Sequence, residues 1–328
     1  MTEKPFQFYI QTIGRGQKRR RTLTLEEAKK AMQQILQGTV TPMQLGAFLM
    51  LIRVREETPE EAAGFLMAIR DTLPHIPCEL DIDWGSYAGK RRQLPWFLLA
   101  LTVLAQQGRR ILLHGILGTD PNRLYTQPLA ERLGWPIAKD LSSAKTLIDS
   151  QGYCYLDIQN FAPKIAELMA LKSELGLRSP IHTLARMLNP LQAKISVHGV
   201  FHKGYDSLHQ QAATHLNDPM TLAFCGDSGE AEVRPDRTTI IKQVIHQNHQ
   251  TLTQELTLPK TFQTQQPIAK NLDPDHFMAL WQGQTQDPYG QATIIQTLTA
   301  LLMAAEQNLT FEQGTTQAQQ LWQNRQTA

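Results

Sequence analysis

The sequence has few cysteines and no long apolar run. Its three cysteines, Cys78, Cys154 and Cys225, are widely spaced, so neither a disulfide framework nor a CxxC metal site is expected. The most apolar stretch, residues 96–105, is too short to span a bilayer. The first residues lack the apolar core and cleavage site of a signal peptide. We therefore expect a protein of the reducing cytoplasm.

The sequence also lacks a large net charge, which is only +2, but its cations are clustered. One cluster near the N-terminus, the N-terminal cluster, comprises Arg15, Lys18, Arg19, Arg20 and Arg21. A second, the loop cluster, comprises Lys90, Arg91 and Arg92. Such clusters are typical of surfaces that neutralise phosphate backbones. For each cluster the alternative is a solvated charged segment without a ligand.

Three helix starts follow one another in the first 73 residues. Each begins with a threonine suited to be an N-cap, with glutamate or glutamine three residues later. These threonines are Thr24, Thr41 and Thr58. Apolar residues then recur at helical spacing, and Pro74 ends the unit. The pattern predicts a helical subdomain over residues 1–75.

Strand and helix patterns alternate from about residue 80. Strand candidates at residues 110–114, 153–157, 193–201 and 220–225 are separated by helical segments, and several of these elements end near glycine. This alternation predicts a mostly parallel sheet covered by helices. The expected fold is a small N-terminal helical subdomain packed on a larger α/β subdomain, residues 76–328, with a central mostly parallel sheet.

Three short segments resemble one enzyme family. Residues 161–164 (FAPK), 174–178 (ELGLR) and 188–190 (LNP) are similar, in order and spacing, to motifs of anthranilate phosphoribosyltransferases. The resemblance extends over most of the chain and implies the fold just described, with part of the 161–185 region packed on the N-terminal helices. It also implies a ligand, phosphoribosyl pyrophosphate, that is carried with magnesium.

The resemblance further implies where that ligand would bind. The diphosphate loop of the family falls at residues 84–92, but most of its glycines are replaced. The Lys-His-Gly-Asn motif keeps only its central two residues, and Ala231 stands where the family has a magnesium-binding aspartate. The retained positions, expected to form a vestigial ligand site, are Gly85, His114, Gly115, Arg178 and Glu232.

The acceptor contacts of the family are altered as well. Ala166 stands near the position of a histidine, and Lys172 stands in place of an arginine. Each lost charge-assisted contact costs roughly 1.5–3 kcal/mol. Several such losses together argue against the same reaction, so we expect no enzymatic activity and no cofactor.

The segment at residues 14–24 (GRGQKRRRTLT) resembles the start of the YbiB-like proteins, non-enzymatic DNA-binding relatives of this fold. That resemblance implies a homodimer joined through the N-terminal helices that binds DNA or RNA with little sequence preference. We expect phosphate contacts from the N-terminal cluster, the loop cluster and Lys203. One alternative is a phosphoribosyltransferase that uses Glu232, His114 and Arg178; another is a protein-binding adaptor.

Two histidines have the spacing of a metal site. His246 and His249 are three residues apart and would share one face if that segment were helical. No cysteine or acidic residue has a suitable spacing to complete a ligand set. We therefore expect no metal there.

Overall fold

The computed structural model describes residues 4–16, 18–263, 270–306 and 308–327. Four helices come first: α1 (Gln7–Gly14), α2 (Leu25–Leu36), α3 (Pro42–Arg55) and α4 (Pro59–Arg70). The last three begin as the sequence predicts, each at a capping box. The Thr24, Thr41 and Thr58 hydroxyls accept the backbone N–H three residues later, and that residue's side chain accepts the threonine N–H.

Glu61 joins the starts of these helices into one unit. Its fully buried carboxylate accepts the Leu23 N–H at 2.7 Å and the Thr58 N–H at 2.9 Å. It also forms an ion pair with Arg55, from the end of α3, at 2.6 Å. One side chain therefore fixes the entry to α2, the exit from α3 and the first turn of α4.

The rest of the chain forms one eight-stranded sheet and its covering helices. The elements in chain order are β1 (Ile82–Ser86), α5 (Trp96–Gln106), β2 (Ile111–Gly115), α6 (Thr126–Arg132), β3 (Ile137–Ala138), α7 (Leu141–Gln151), β4 (Tyr153–Asp157), α8 (Pro163–Ala170), α9 (Lys172–Leu175), α10 (Ile181–Leu184), β5 (Ile195–Val200), α11 (Tyr205–Ala213), β6 (Met220–Cys225), β7 (Thr239–Gln247), β8 (Gln250–Leu258), α12 (Pro274–Trp281), α13 (Pro288–Ala305) and α14 (Phe311–Gln323). The strand order is β3-β4-β2-β1-β5-β6-β7-β8.

The first six strands are parallel, and only β7 and β8 are antiparallel. The predicted fold class is thus confirmed. Successive side chains of β2 face opposite sides of the sheet. Leu112 belongs to the core that contains α1 to α4, whereas Ile111 and Leu113 belong to a second core with α5, α13 and α14. Ile165 and Ile181, from the 161–185 region, also lie in the first core.

Two elements differ from the sequence predictions. The strand β1 continues to Ser86, through residues that were assigned to the diphosphate loop, and Trp84 is fully buried within it. The hairpin of β7 and β8 was not predicted. His246 lies on β7 and His249 in the turn, so the helical spacing proposed for them does not exist. None of the described helices is long and apolar enough to cross a membrane.

Candidate active site

The carboxyl ends of the parallel strands open towards the core that contains α1 to α4. Tyr87 follows β1, residues 116–121 follow β2, and Phe201 follows β5; all line cavities there. This edge of an open parallel sheet is where ligands usually bind. Two cavities, of ≈ 110 Å³ and ≈ 500 Å³, share Arg178 and His182 as lining residues. We call the pair of cavities the cleft.

The loop after β1 is held from both sides. The N–H groups of Ala88 and Gly89 donate to Oε1 of Glu230 at 2.8 and 2.7 Å. Arg123 donates to the carbonyl oxygens of the same two residues at 2.6 and 3.0 Å. Backbone N–H groups in such a turn are anion donors. Here the carboxylate of Glu230 already occupies them.

Lys90 lies at the end of this loop and is fully buried. Its ammonium group is 2.8 Å from Oδ2 of Asp227 and forms a short contact with Glu232. The other oxygen of Glu232 accepts the N–H of Phe97, in the first turn of α5, at 2.9 Å. Burial disfavours the charge of Lys90, but the two carboxylates outweigh burial and raise the pKa of Lys90 above its ordinary value.

The loop cluster is therefore not the exposed basic patch predicted from the sequence. Lys90 faces inward, and only Arg91 and Arg92 are exposed. The prediction was wrong because sequence shows a run of charges but not that carboxylates 137 and 142 residues away converge on one member of it. Glu232, expected at the vestigial ligand site, is engaged by Lys90 and the start of α5.

Three other residues predicted at the ligand site, His114, Gly115 and Gly85, have structural roles. His114 is fully buried; its Nδ1 accepts from the Tyr87 hydroxyl at 2.6 Å, and its Nε2 lies 3.2 Å from Asp83. A Cβ at Gly115 would lie 2.3 Å from the Ser86 carbonyl oxygen, and one at Gly85 would lie 3.0 Å from the Cα of Arg186. Packing thus explains both glycines and places His114 out of reach of a ligand.

The charged side chains that line the cleft include Arg178 and Arg186, and also Arg53, Glu57, Asp120 and Lys172. Arg186 is 7% exposed; its guanidinium donates to the His182 carbonyl, and its Nε has no partner among the described residues. Arg178 is half-buried and lines both cavities. Burial lowers the pKa of Arg186 to about 10, and burial, with the neighbouring Arg123, also lowers that of Arg178.

Two acids, Glu57 and Asp120, also line the cleft; burial raises the pKa of Glu57, and Asp120 lies 3.2 Å from Arg123. His182, between Arg178 and Arg186 in sequence, stays uncharged because burial and Arg178 lower its pKa to about 3. Glu230 is the acid that acts on Arg186, but one of its oxygens is held by the loop N–H groups. Burying an uncompensated charge is costly. An anion bound beside Arg178 and Arg186 would offset that cost. Arg186 was missed in the sequence because no motif marks it.

The N-terminal cluster lies outside the cleft. Arg21 donates to both oxygens of Glu27 at 2.6 and 2.8 Å, and this hydrogen bonding lowers the pKa of Glu27 to about 2. The other members, Arg15, Lys18, Arg19 and Arg20, are exposed. Lys203, in the turn after β5, is exposed too. None of these residues lines either cavity of the cleft in the described part of the chain.

The fold and the site together define a class of protein: a helical bundle joined to an α/β domain, with a cleft lined by arginines where the parallel strands end. Residues 7–73 match a glycosyl transferase family, helical bundle domain, and residues 126–327 match a glycosyl transferase family, a/b domain. The chain belongs to this glycosyl transferase family.

Individual relatives agree with that assignment. The uncharacterized protein YbiB of Escherichia coli (strain K12) is 26% identical, over 70% of this chain and 72% of that one. The anthranilate phosphoribosyltransferase of Saccharolobus solfataricus is 25% identical, over 68% of this chain and 64% of that one. The anthranilate phosphoribosyltransferase of Saccharomyces cerevisiae, solved in complex with PRPP and Mg, has the same fold, with a TM-score of 0.76, 17% identity and coverage of 97% and 93%.

These findings correct two predictions. The main prediction of a nucleic-acid-binding protein is wrong, because the chain belongs to a glycosyl transferase family whose relatives with a named activity are anthranilate phosphoribosyltransferases, and the similarity to the uncharacterized YbiB supplies no nucleic-acid function. The prediction that the chain is not an enzyme is wrong for the same reason. The resemblance to anthranilate phosphoribosyltransferases, on which the alternative rested, is confirmed.

Proposed function

We propose that this protein is a phosphoribosyltransferase whose cleft binds phosphoribosyl pyrophosphate on Arg178 and Arg186. The observation that carries the proposal is the pair of guanidinium groups that line the cleft at the ends of the parallel strands: Arg186 is buried, with an Nε that has no partner among the described residues, and Arg178 is half-buried. Guanidinium groups are well suited to phosphate oxygens because their N–H groups donate in a fork. The relatives named for this reaction support the same assignment.

The donor phosphates are expected on the guanidinium side of the cleft. The N–H groups of Ala88 and Gly89 already hold Glu230, so they are not free for a phosphate. In the transfer, a bond forms between the anomeric carbon and the acceptor nitrogen, the bond from that carbon to the diphosphate breaks, and a proton leaves the nitrogen. Arg178 and Arg186 would stabilise the charge that develops on the departing diphosphate.

A magnesium ion does not fit the acids of this site. Oε1 of Glu230 is held by the loop N–H groups, and the buried ammonium of Lys90 already lies between Asp227 and Glu232. A divalent ion would have to share those oxygens with a like charge at hydrogen-bond distance. We therefore assign no step of the reaction to a metal held there.

The larger cavity supports an aromatic acid as the acceptor. Its walls combine the apolar groups of Ala166, Met169 and Tyr125 with the exposed ammonium of Lys172. Apolar walls with cations at Lys172 and Arg178 suit a flat ring that carries a carboxylate. Lys172 supplies one point charge in place of an arginine fork, so the set of accepted acids is expected to differ from that of enzymes with arginine.

The test combines binding and turnover. Isothermal titration calorimetry with phosphoribosyl pyrophosphate should show one site per chain for the wild type and at least ~10-fold weaker binding for Arg186→Gln, since one charge-assisted contact contributes about 1.5–3 kcal/mol. Arg132→Gln, which alters an exposed ion pair with Asp275, is the matched control. Pyrophosphate release with anthranilate and other aromatic acids then tests transfer. No binding and no release would contradict the proposal.

We also propose that two copies pair through the N-terminal helices. Met43 and Val54, both on α3, are 85% and 81% exposed, which is unusual for large apolar side chains. Light scattering should give the mass of a dimer for the wild type and of a monomer for the double variant Met43→Lys, Val54→Lys. A monomeric wild type would contradict this pairing.

A cytoplasmic location is the third proposal. Cys78, Cys154 and Cys225 are all free thiols, as a reducing compartment maintains them. Cell fractionation tests this location, and recovery outside the cytoplasmic fraction would contradict it.

A further inference from the structure

A buried cation is held by two carboxylates at the end of the loop after β1, whose first residue, Tyr87, lines the cleft, and that cation is a side chain of the protein. Lys90 comes from the loop after β1, whereas Asp227 and Glu232 come from the segment after β6. Two carboxylates converging beside a phosphate-binding cleft are the usual protein ligands of magnesium, which keeps water and phosphate oxygens in its other positions. Here their oxygens are directed at an ammonium group instead.

We propose that the ammonium of Lys90 is a built-in cation that takes the place of a divalent metal, so that the cleft binds its phosphorylated ligand without one. The first half of this statement concerns Asp227 and Glu232 alone. The second half, on ligand binding, rests on the proposed function.

Several contacts prevent Lys90 from leaving its position. Its backbone pairs with Leu124 in both directions, at 2.8 and 2.9 Å. The preceding two residues are fixed by Glu230 on one side and Arg123 on the other. The side chain is fully buried, so its departure would leave Asp227 and Glu232 without a counter-charge. The ammonium is thus a permanent part of the site.

The charge of the site favours the same conclusion. The ammonium keeps its proton because both carboxylates raise the pKa of Lys90, while burial raises the pKa of Glu232 itself. The pKa of Asp227 is lowered because the ammonium outweighs the effect of burial. Removing the ammonium should therefore create an acidic pair with a strong demand for a cation.

The test measures manganese binding without any substrate. Free Mn²⁺ is followed by electron paramagnetic resonance at pH 7.5 in the wild type and in Lys90→Ala, with the exposed Lys203→Ala as the matched control. We expect the wild type and Lys203→Ala to leave Mn²⁺ free. Lys90→Ala should bind one ion per chain, and adding Glu232→Gln should abolish that binding. Mn²⁺ should also raise the Tm of Lys90→Ala, on the order of 5 °C, and not that of the wild type.

Two results would overturn the proposal: Mn²⁺ binding by the wild type that Glu232→Gln removes, or a folded Lys90→Ala that binds no ion. If Lys90→Ala does not fold, Lys90→Met keeps the volume of the side chain and is used in the same way. If neither variant folds, the wild-type arm still decides, because Mn²⁺ bound at Glu232 refutes the proposal and its absence supports it. This experiment needs no substrate, so its failure is distinct from a failure of the proposed function.

Discussion

At the scale of single residues, the cleft is defined by charges that the fold leaves uncompensated. Arg186 is buried with an unpartnered Nε, while Lys90, which looked like a free surface cation, is neutralised by two acids. A buried polar group without a partner costs stability, and such costs are commonly retained where a ligand binds. Whether a cation is available to a ligand therefore depends on which acids the fold brings next to it, even when those acids are remote in the sequence.

Buried histidines give the first residue-level prediction, which concerns pH. Burial lowers the pKa of His182 and of His198 to about 3 and that of His209 well below its ordinary 6.5. Between about pH 6.5 and 3 the unfolded chain therefore binds more protons than the folded one. Stability should fall as the pH drops below 6.5, by about 2 kcal/mol per histidine at pH 5.

The measurement is urea unfolding at pH 7 and pH 5. His198→Gln should reduce the pH dependence of the free energy of unfolding by the contribution of about one bound proton. His215→Gln, at an exposed position, should leave that pH dependence unchanged. Equal pH dependence in the wild type and His198→Gln would show that His198 does not remain neutral in the folded protein.

At the scale of elements, Glu61 connects the ends of three N-terminal helices, α2, α3 and α4. It accepts two backbone N–H groups and pairs with Arg55 while fully buried. Glu61→Gln leaves the guanidinium of Arg55 without its carboxylate and should lower the free energy of unfolding by about 3 kcal/mol, because breaking a buried pair costs roughly 3–5 kcal/mol.

Glu60→Gln is the matched control for that substitution. Glu60 is its exposed neighbour on α4, so the change should stay within about 0.5 kcal/mol of the wild type. Urea unfolding measures both variants. Equal stability of the two would mean that Glu61 does not join the helices.

Elements with a local signal could be predicted from the sequence. The threonine N-caps indicated α2, α3 and α4. The alternation of strand and helix segments along the chain indicated β2, β4, β5 and β6. The hairpin of β7 and β8 gave no clear pattern because every residue of β8 except Leu256 and Leu258 is exposed. The site could be predicted in part only. Arg178 was found through a motif, whereas the pairing of Lys90 depends on contacts across 137 and 142 residues.

At the scale of the whole molecule, the two layers meet at the cleft. Arg178 precedes α10 and His182 lies on it, and α10 packs in the core that also contains the N-terminal helices. Tyr87 and the rest of the loop after β1 follow a central strand of the sheet. A ligand held in the cleft would therefore contact both layers. Its binding should stabilise the folded chain as a unit, by a free energy that grows with the logarithm of ligand concentration over Kd.

The most direct test of the central claim is calorimetric titration of the wild type with phosphoribosyl pyrophosphate, once with excess EDTA and once with magnesium. We predict saturable binding at one site per chain in both conditions, and its loss in Arg186→Gln. No binding in either condition would contradict the assignment of the cleft, and binding that requires magnesium would contradict the role of Lys90.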